Sequence, residues 1–232
     1  MPKIHALMVA AGVGSRFGAD VPKQYLYIAG KTILQHAVCC LNHPSITDLT
    51  LVIASDDKVA QTLVFDFDKP IHFAIGGAER FLSVKSGVEH IKACGAKDDD
   101  WVLIHDAARP CLPMADLSRL IEMAGDLSDD LDKSAGAILA MPVADTLKFA
   151  KDGVVCHTVG REHLYQAQTP QMFRLKSLLQ MLQFVCQNDV FITDEASGFE
   201  HLGQSVAVVM GSRMNIKLTY HDDLPLFERL LG

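Results

Sequence analysis

The amino-acid sequence predicts an α/β fold: a doubly wound, mostly parallel sheet with helices on both faces and a β-hairpin inserted late in the chain. Three observations carry this. Short apolar runs alternate with segments of helical periodicity. The runs are nearly unbroken rather than alternately polar, as in strands buried on both faces. One stretch breaks the rhythm with two β-like pieces joined through Asp152-Gly153, a hairpin signal.

The elements follow in order. Strand-like runs are Ile4–Val9, Leu49–Ala54, Ile71–Ile75, Trp101–His105, Gly136–Met141 and Ser205–Met210. Thr32 is a candidate N-cap, followed by Ile33, Leu34, Ala37, Val38 and Leu41 at helical spacing, with Pro44 just beyond. Arg80–Ala93 places Leu82, Val84, Val88 and Ile91 roughly on one face, with Gly95 as a stop. Met114–Ala124 and Lys176–Val185 read the same way. Pro142–Arg161 contains Thr146–Phe149 and Val154–Val159. From the sequence it is either a plain excursion or an arm that reaches a partner subunit. Asp126–Asp132 reads as a solvated acidic loop.

Composition narrows the function classes. The 232 residues suit a single domain spanning 1–232. A chain of that size buries about 70% of its unfolded surface and needs no disulfide or metal staple. A formal charge of −7, from 21 Lys+Arg against 28 Asp+Glu, disfavours a non-specific nucleic-acid binder. The six cysteines show no CxxC spacing and read as free thiols of a reducing compartment. No apolar run reaches the ~20 residues needed to cross a bilayer, and Met1–His5 lacks the apolar core of a signal peptide. The expectation is a cytoplasmic protein with no membrane partner.

The loop after the first strand is glycine-rich: Ala10-Ala11-Gly12-Val13-Gly14-Ser15-Arg16-Phe17-Gly18. In open α/β sheets, ligands bind beyond the carboxyl ends of the strands. The dinucleotide pattern GxGxxG fails at Phe17, and the P-loop pattern fails from either Gly12 or Gly14. What remains is a loop of backbone N–H donors with Arg16, then Pro22-Lys23-Gln24. Two cations beside such donors suit a polyphosphate.

Asp106 ends the fourth strand beside small Ala107 and Ala108. It is the candidate ligand for Mg²⁺, which binds through one or two carboxylates plus substrate phosphates; its alternative is a strand-end cap. His105 reads as a packed strand residue, and Arg109 as a partner for a carboxylate that shapes the turn. Thr169 and Thr193 could bond a polyol or phosphate, or serve as turn and cap residues; Thr193-x-Glu195-Ala196 is also helix-start chemistry. Arg161 closes the hairpin and suits bidentate phosphate recognition. Lys217 is a third candidate cation.

Ala10-Ala11-Gly12-x-Gly14-x-Arg16 with Pro22-Lys23-Gln24-Tyr25 resembles the nucleotidyltransferases that couple a sugar or polyol phosphate to an NTP, and most closely the 2-C-methyl-D-erythritol 4-phosphate cytidylyltransferases of the non-mevalonate isoprenoid pathway. Further similar segments are Gly76-Gly77-x-Glu79-Arg80-x-x-Ser83, His105-Asp106-Ala107-Ala108-Arg109-Pro110, Asp145-Thr146, Thr169-Pro170-Gln171, Thr193-Asp194-Glu195-Ala196-Ser197 and Asn215-Ile216-Lys217. They run in order over roughly residues 4–220. The resemblance implies a Rossmann-like nucleotidyltransferase fold, CTP as donor, Mg²⁺, and a homodimer joined by an arm over 142–161. It implies that Ala10, Ala11, Gly12, Gly14, Gly77, Ala78, Ser83 and Ala107 bind the nucleotide. It implies that Arg16, Lys23 and Lys217 are catalytic, and that Asp106, Thr146, Arg161, Thr169 and Thr193 hold the polyol phosphate. Two positions depart from the family pattern: Ala78 and Gly160 stand where many members have Asp. Ribitol 5-phosphate is the alternative acceptor, and a nucleotide sensor without turnover is a third reading.

Overall fold

The computed structural model describes residues 2–12, 21–126 and 134–232. Gly14, Arg16 and nearly all of the acidic stretch 126–132 lie outside them.

Seven strands form the main sheet. β1 (Ile4–Val9) starts it. A small hairpin of β2 (Tyr27–Ile28) and β3 (Lys31–Thr32) precedes α1 (Ile33–Cys39). β4 (Ile46–Ile53), β5 (Ile71–Ile75), α2 (Arg80–Ala93), β6 (Trp101–Asp106), α3 (Met114–Asp126) and β7 (Gly136–Pro142) follow. The inserted hairpin is β8 (Leu147–Lys151) and β9 (Val154–Val159). The chain ends with β10 (Tyr165–Arg174), α4 (Leu175–Asn188), α5 (Glu195–His201), β11 (Ala207–Met210) and α6 (Leu224–Leu231). Sheet order is β11-β7-β10-β6-β1-β4-β5. Every pairing is parallel except those of β10, which runs antiparallel between β6 and β7.

Successive strand residues point to opposite faces, and the core divides accordingly. Ala6, Met8 and Leu103 pack with Leu34, Val38, Leu117 and Leu120 of α1 and α3. Leu7, Val102 and Ile104 pack with Val84, Val88, Leu178, Leu182 and Phe199 of α2, α4 and α5. Both faces are covered, which is why the strands read as unbroken apolar runs. A third cluster of Ile28, Ile33, Leu218 and Phe227 seats α6 beside the small hairpin.

Local chemistry sets the ends. Thr32 caps α1: its Oγ1 accepts from the Gln35 N–H at 3.2 Å, and the Gln35 side chain accepts from the Thr32 N–H at 2.9 Å. In the β8–β9 turn, Asp152 and Gly153 have φ of 51° and 79°, the paired left-handed residues of a tight hairpin turn. The small hairpin β2–β3 and α6 were not anticipated, nor was β10, whose run Gln-Ala-Gln-Thr-Pro-Gln is polar and contains Pro170. Pro170 has no N–H to give the ladder, and the register with β7 shifts between Ala167 and Gln171.

The α1 cap yields a test. Thr32→Ala removes the hydroxyl that accepts the Gln35 N–H, while the backbone N–H of residue 32 can still donate to Gln35, and should cost about 1 kcal/mol, about 2–4 °C in Tm for a chain of this size. Thr32→Ser should retain most of that stability. Thermal melts of the two variants showing equal losses would assign the effect to packing of the Thr32 methyl instead.

Candidate functional site

The carboxyl ends of β1, β5 and β6 meet at one edge of the sheet. The Ala10 N–H donates to Val52 O and the Gly76 N–H to Ile53 O, each at 2.8 Å. Gly76 has to be small: a Cβ there would lie 2.5 Å from Ala11 Cβ and 2.8 Å from Ser83 Oγ. Two loops therefore close on each other above the sheet. The C-terminal segment arrives through Leu218, whose N–H donates to Ala108 O at 2.8 Å.

Two cavities open at this edge. The larger, about 640 Å³, is lined by Ala10, Ala11, Gly12, Lys23, Gly77, Ala78, Ser83, Asp106, Ala107 and Lys217, together with Val9, Gln24, Glu79, Arg80, Ala108 and Thr219. The smaller, about 240 Å³, is lined by Arg80, Asp106, Arg109, Ala167, Gln168, Thr169, Gln171, Thr193, Asp194 and Lys217. Arg80, Asp106 and Lys217 belong to both, so they form a shared floor.

That floor is a charge network. Lys217 Nζ lies 2.6 Å from Asp106 Oδ2. Arg80 Nη2 lies 3.1 Å from Asp106 Oδ1, and Arg80 Nη1 lies 2.6 Å from Glu195 Oε1. Burial alone would raise the Asp106 pKa, but the Arg80 and Lys217 charges overcome it and hold the carboxyl far below the usual carboxylate range. Glu195 is completely buried, and that burial outweighs Arg80 and raises its pKa. The two carboxylates lift the Arg80 pKa against its own burial, so it stays charged.

A second set of bonds fixes the turn after β6. Burial lowers the His105 pKa to about 4, so the ring is neutral near pH 7. Its Nε2 lies 3.0 Å from Arg109 O, a carbonyl that can only accept, so the ring proton is on Nε2. Nδ1 is then an acceptor and receives the Thr169 hydroxyl at 3.1 Å. Thr169 Oγ1 in turn accepts the Asp106 N–H at 3.1 Å. Thr169 thus has an acceptor lone pair for a ligand hydroxyl but no proton left for a phosphate, which narrows the expectation from the sequence.

Other expectations are corrected. Arg109 pairs with no carboxylate among the described residues; it donates to Asn215 O at 2.6 Å and Ala167 O at 3.4 Å, and its Nε is buried without a partner. The cap of α5 is Asp194, which accepts the Ser197 N–H at 3.0 Å, rather than Thr193, which is exposed at the small cavity. Ser83 lines the large cavity, and its hydroxyl accepts the Gly77 N–H at 3.1 Å and donates to Glu79 O at 3.2 Å, holding the loop. Lys23 donates to Leu218 O at 2.8 Å, and Gln24 to Ala10 O at 2.8 Å, so both loops are tied to the floor. Thr146 and Arg161 line neither cavity; Arg161 donates to Ala144 O at the base of the hairpin.

The donor set does not fit a protein-held Mg²⁺. Both oxygens of Asp106 already face cations, and both oxygens of Glu195 face Arg80. A hard dication at the floor would sit against Arg80 and Lys217, both already paired with its carboxylates; the other carboxylates, Glu79 and Asp194, line the cavity walls.

Sequence reasoning missed Arg80 and Glu195 as functional residues. Both lie inside segments already singled out, one at the start of α2 and the other at the start of α5. The signal was a charged residue at each of two helix starts, but only the fold brings them together.

Residues 4–232 match the family described as 2-C-methyl-D-erythritol 4-phosphate cytidylyltransferase. A relative of that name from Psychrobacter arcticus is 45% identical over 265 residues, covering 99% of this chain and 92% of the relative. One from Pseudomonas fluorescens is 46% identical over 226 residues, covering 97% and 94%. Among solved structures, a crystal structure of 4-diphosphocytidyl-2C-methyl-D-erythritol synthase superposes with a TM-score of 0.85 at 37% identity, covering 100% of both chains. The Francisella tularensis 2-C-methyl-D-erythritol 4-phosphate cytidylyltransferase superposes with a TM-score of 0.81 at 33% identity, covering 98% of this chain and 99% of that one. The chain belongs to this family.

The network predicts an asymmetry between single and double variants. Arg80→Ala leaves buried Glu195 uncompensated and should destabilise by about 3–5 kcal/mol. Arg80→Met combined with Glu195→Leu should recover most of that loss, as an apolar pair of similar volume often does. Denaturant unfolding reads both, and a double variant no more stable than Arg80→Ala would show that Glu195 is not the source of the cost.

Proposed function

We propose that the two cavities are the donor and acceptor halves of one active site, which transfers the cytidylyl group of CTP to 2-C-methyl-D-erythritol 4-phosphate in isoprenoid precursor biosynthesis. The observation that carries this is the shared floor: Arg80, Asp106 and Lys217 stand where a large and a small polar cavity meet. A nucleoside triphosphate suits the larger space, and a five-carbon polyol phosphate the smaller. Family membership points to the same donor and acceptor, and no comparison favours ribitol 5-phosphate.

The chemistry needs positioning and charge rather than a base. The acceptor phosphate is already anionic at neutral pH. One of its oxygens attacks the α-phosphorus of CTP in line, the new P–O bond forms, and the bond to the β-phosphate oxygen breaks to release pyrophosphate. Lys217 and Lys23 stand beside the cavity as charge stabilisers for the α-phosphate, with Arg16 assigned the same role. The backbone of Ala10, Ala11, Gly12 and Gly14 is assigned to the triphosphate. The loop at Gly77 and Ala78, braced by Ser83, takes the base, beside Ala107. Asp106, Thr169 and Thr193 line the acceptor half; Thr169 accepts from a polyol hydroxyl, and Asp106 positions Lys217. Mg²⁺ enters this reading as a counter-ion of the nucleotide's own phosphates.

The hairpin supplies what the small cavity lacks. Residues 142–161 are assigned as an arm that crosses to a second copy, where Thr146 and Arg161 complete the partner's acceptor site. Its apolar side chains support this: Phe149, Val154 and Val155 are 53%, 67% and 58% exposed. In this reading the single domain of 1–232 works as a homodimer. All six cysteines are free thiols, and no helix among the described residues is long and apolar enough to cross a membrane. A cytoplasmic location fits both.

Pyrophosphate release tests the reaction. With CTP, 2-C-methyl-D-erythritol 4-phosphate should support turnover and ribitol 5-phosphate should not. UTP should fall at least about tenfold below CTP, because it offers an acceptor where cytosine donates, at about 1–3 kcal/mol per mismatched group. Release with ribitol 5-phosphate alone, or equal use of both nucleotides, would overturn the assignment.

Subunit mixing tests the arm. Lys23→Ala should lower turnover at least ~10²-fold, and Arg161→Ala should disable the arm. In a mixed dimer, one site would combine an intact core with an intact arm, and the other would carry both defects. After 1:1 mixing with proven exchange, about one site in four should recover. Activity that stays at the level of the separate variants would place Arg161 in its own subunit's site.

A further inference from the structure

A group of metal-type ligands lies at the opposite end of the strand and helix that frame the large cavity. His72 is in β5, an edge strand paired only with β4. His90 and Cys94 are four residues apart at the carboxyl end of α2, one turn of the same helical face. One donor atom from each of the three lies within 4.8 Å of the others. Cys94 Sγ and His90 Nε2 are 3.5 Å apart. Tetrahedral Zn²⁺, at about 2.0–2.1 Å from nitrogen and about 2.3 Å from sulfur, holds such a pair about 3.6 Å apart. The His72 and His90 rings are neighbours, with centroids 6.1 Å apart and tilted by 49°.

We propose that His72, His90 and Cys94 bind one Zn²⁺-class cation through two imidazoles and one thiolate, with water in the fourth position. The donor set selects the ion: nitrogen and sulfur suit a borderline or soft metal and exclude Mg²⁺ and Ca²⁺, which take oxygen. Cys94 is exposed and both histidines are half-buried, so an ion can enter from solvent and keep a water. The bound ion would tie β5 to the end of α2. From His72, β5 runs to Ile75, two residues before Gly77 at the cavity; α2 begins at Arg80. His90 is ten residues past Arg80, about 15 Å along a helix, so the ion braces this unit without touching a substrate. This assignment is independent of the reaction proposed above.

The test uses the untagged, reduced, metal-stripped chain. Zn²⁺ titrated by calorimetry should bind at one ion per chain, and Tm should rise with the free Zn²⁺ concentration. Co²⁺ in its place should give a thiolate-to-cobalt charge-transfer absorption. His72→Gln, His90→Gln and Cys94→Ser should each weaken Zn²⁺ binding by at least about 10–100-fold, since loss of a supporting residue alone costs that much. Cys94→Ser should also abolish the cobalt band. No binding by the wild-type chain, or binding that all three variants leave unchanged, would overturn the proposal. The wild-type cobalt spectrum decides the matter even if a variant folds poorly.

Discussion

Asp106 holds a guanidinium on one oxygen and an ammonium on the other, and four distant segments meet through that contact. Arg80 belongs to the start of α2, Lys217 to the C-terminal loop, Glu195 to the start of α5, and Asp106 to the end of β6. Two cations and two carboxylates leave this floor with no net charge. It therefore orients the cations more than it attracts an anion. Attraction for a triphosphate has to come from groups around the floor, such as Lys23 and Arg109, which are held against carbonyl oxygens. Placing the charges is the costly step in a buried site, and pairing each with a fixed carboxylate is how the fold meets it.

The one antiparallel strand makes that meeting possible. β10 lies between β6 and β7, so Thr169 and Gln171 come alongside the end of β6. Gln171 then spans to α5: its Nε2 donates to Asp194 at 2.8 Å, and its Oε1 accepts the Ala196 N–H at 3.1 Å. Asn215, fully buried, donates to Thr169 O at 2.8 Å and sets the loop that carries Lys217. Several residues that resemble a binding signature thus act by holding others in place. The side chains of Gln171, Asn215 and Ser83 are committed to backbone and cap, and the cavity wall follows from them.

Most of the fold was legible because covered parallel strands leave a plain record. Ile4–Val9, Ile71–Ile75 and Arg80–Ala93 coincide with β1, β5 and α2. β10 was not legible, because its buried positions include Gln168, Thr169 and Gln171, whose partners exist only in three dimensions. The site was legible where backbone and small residues shape it, at Ala10, Gly77 and Ala107. Arg80 and Glu195 were hidden for a physical reason: a buried ion pair is recognised by its partner, and these partners are 115 residues apart in sequence. Arg109 was misread because Arg80 takes the carboxylate in its place, and the cap alternative for Thr193 falls because Asp194 performs that task.

The hairpin joins two shortfalls. β8 and β9 are exposed along almost their whole length, and what holds them is mutual: the ring stack of Phe149 on His157 at 5.0 Å and the bond from Lys148 to Thr158 at 2.6 Å. A two-stranded hairpin alone is marginal in water, and this one carries apolar side chains outward. The small cavity, for its part, has Arg109 and Lys217 on its wall but neither Thr146 nor Arg161. In the proposed dimer one event answers both needs, because the arm covers its apolar face on the partner while delivering Arg161 to the partner's cavity. A closed two-fold makes the exchange reciprocal, so neither site is complete unless both arms have crossed. In that proposed dimer, acceptor binding and dimer formation would draw on the same contacts, and the arm's exposed valines and phenylalanine would be as much a part of the site as the residues that line it.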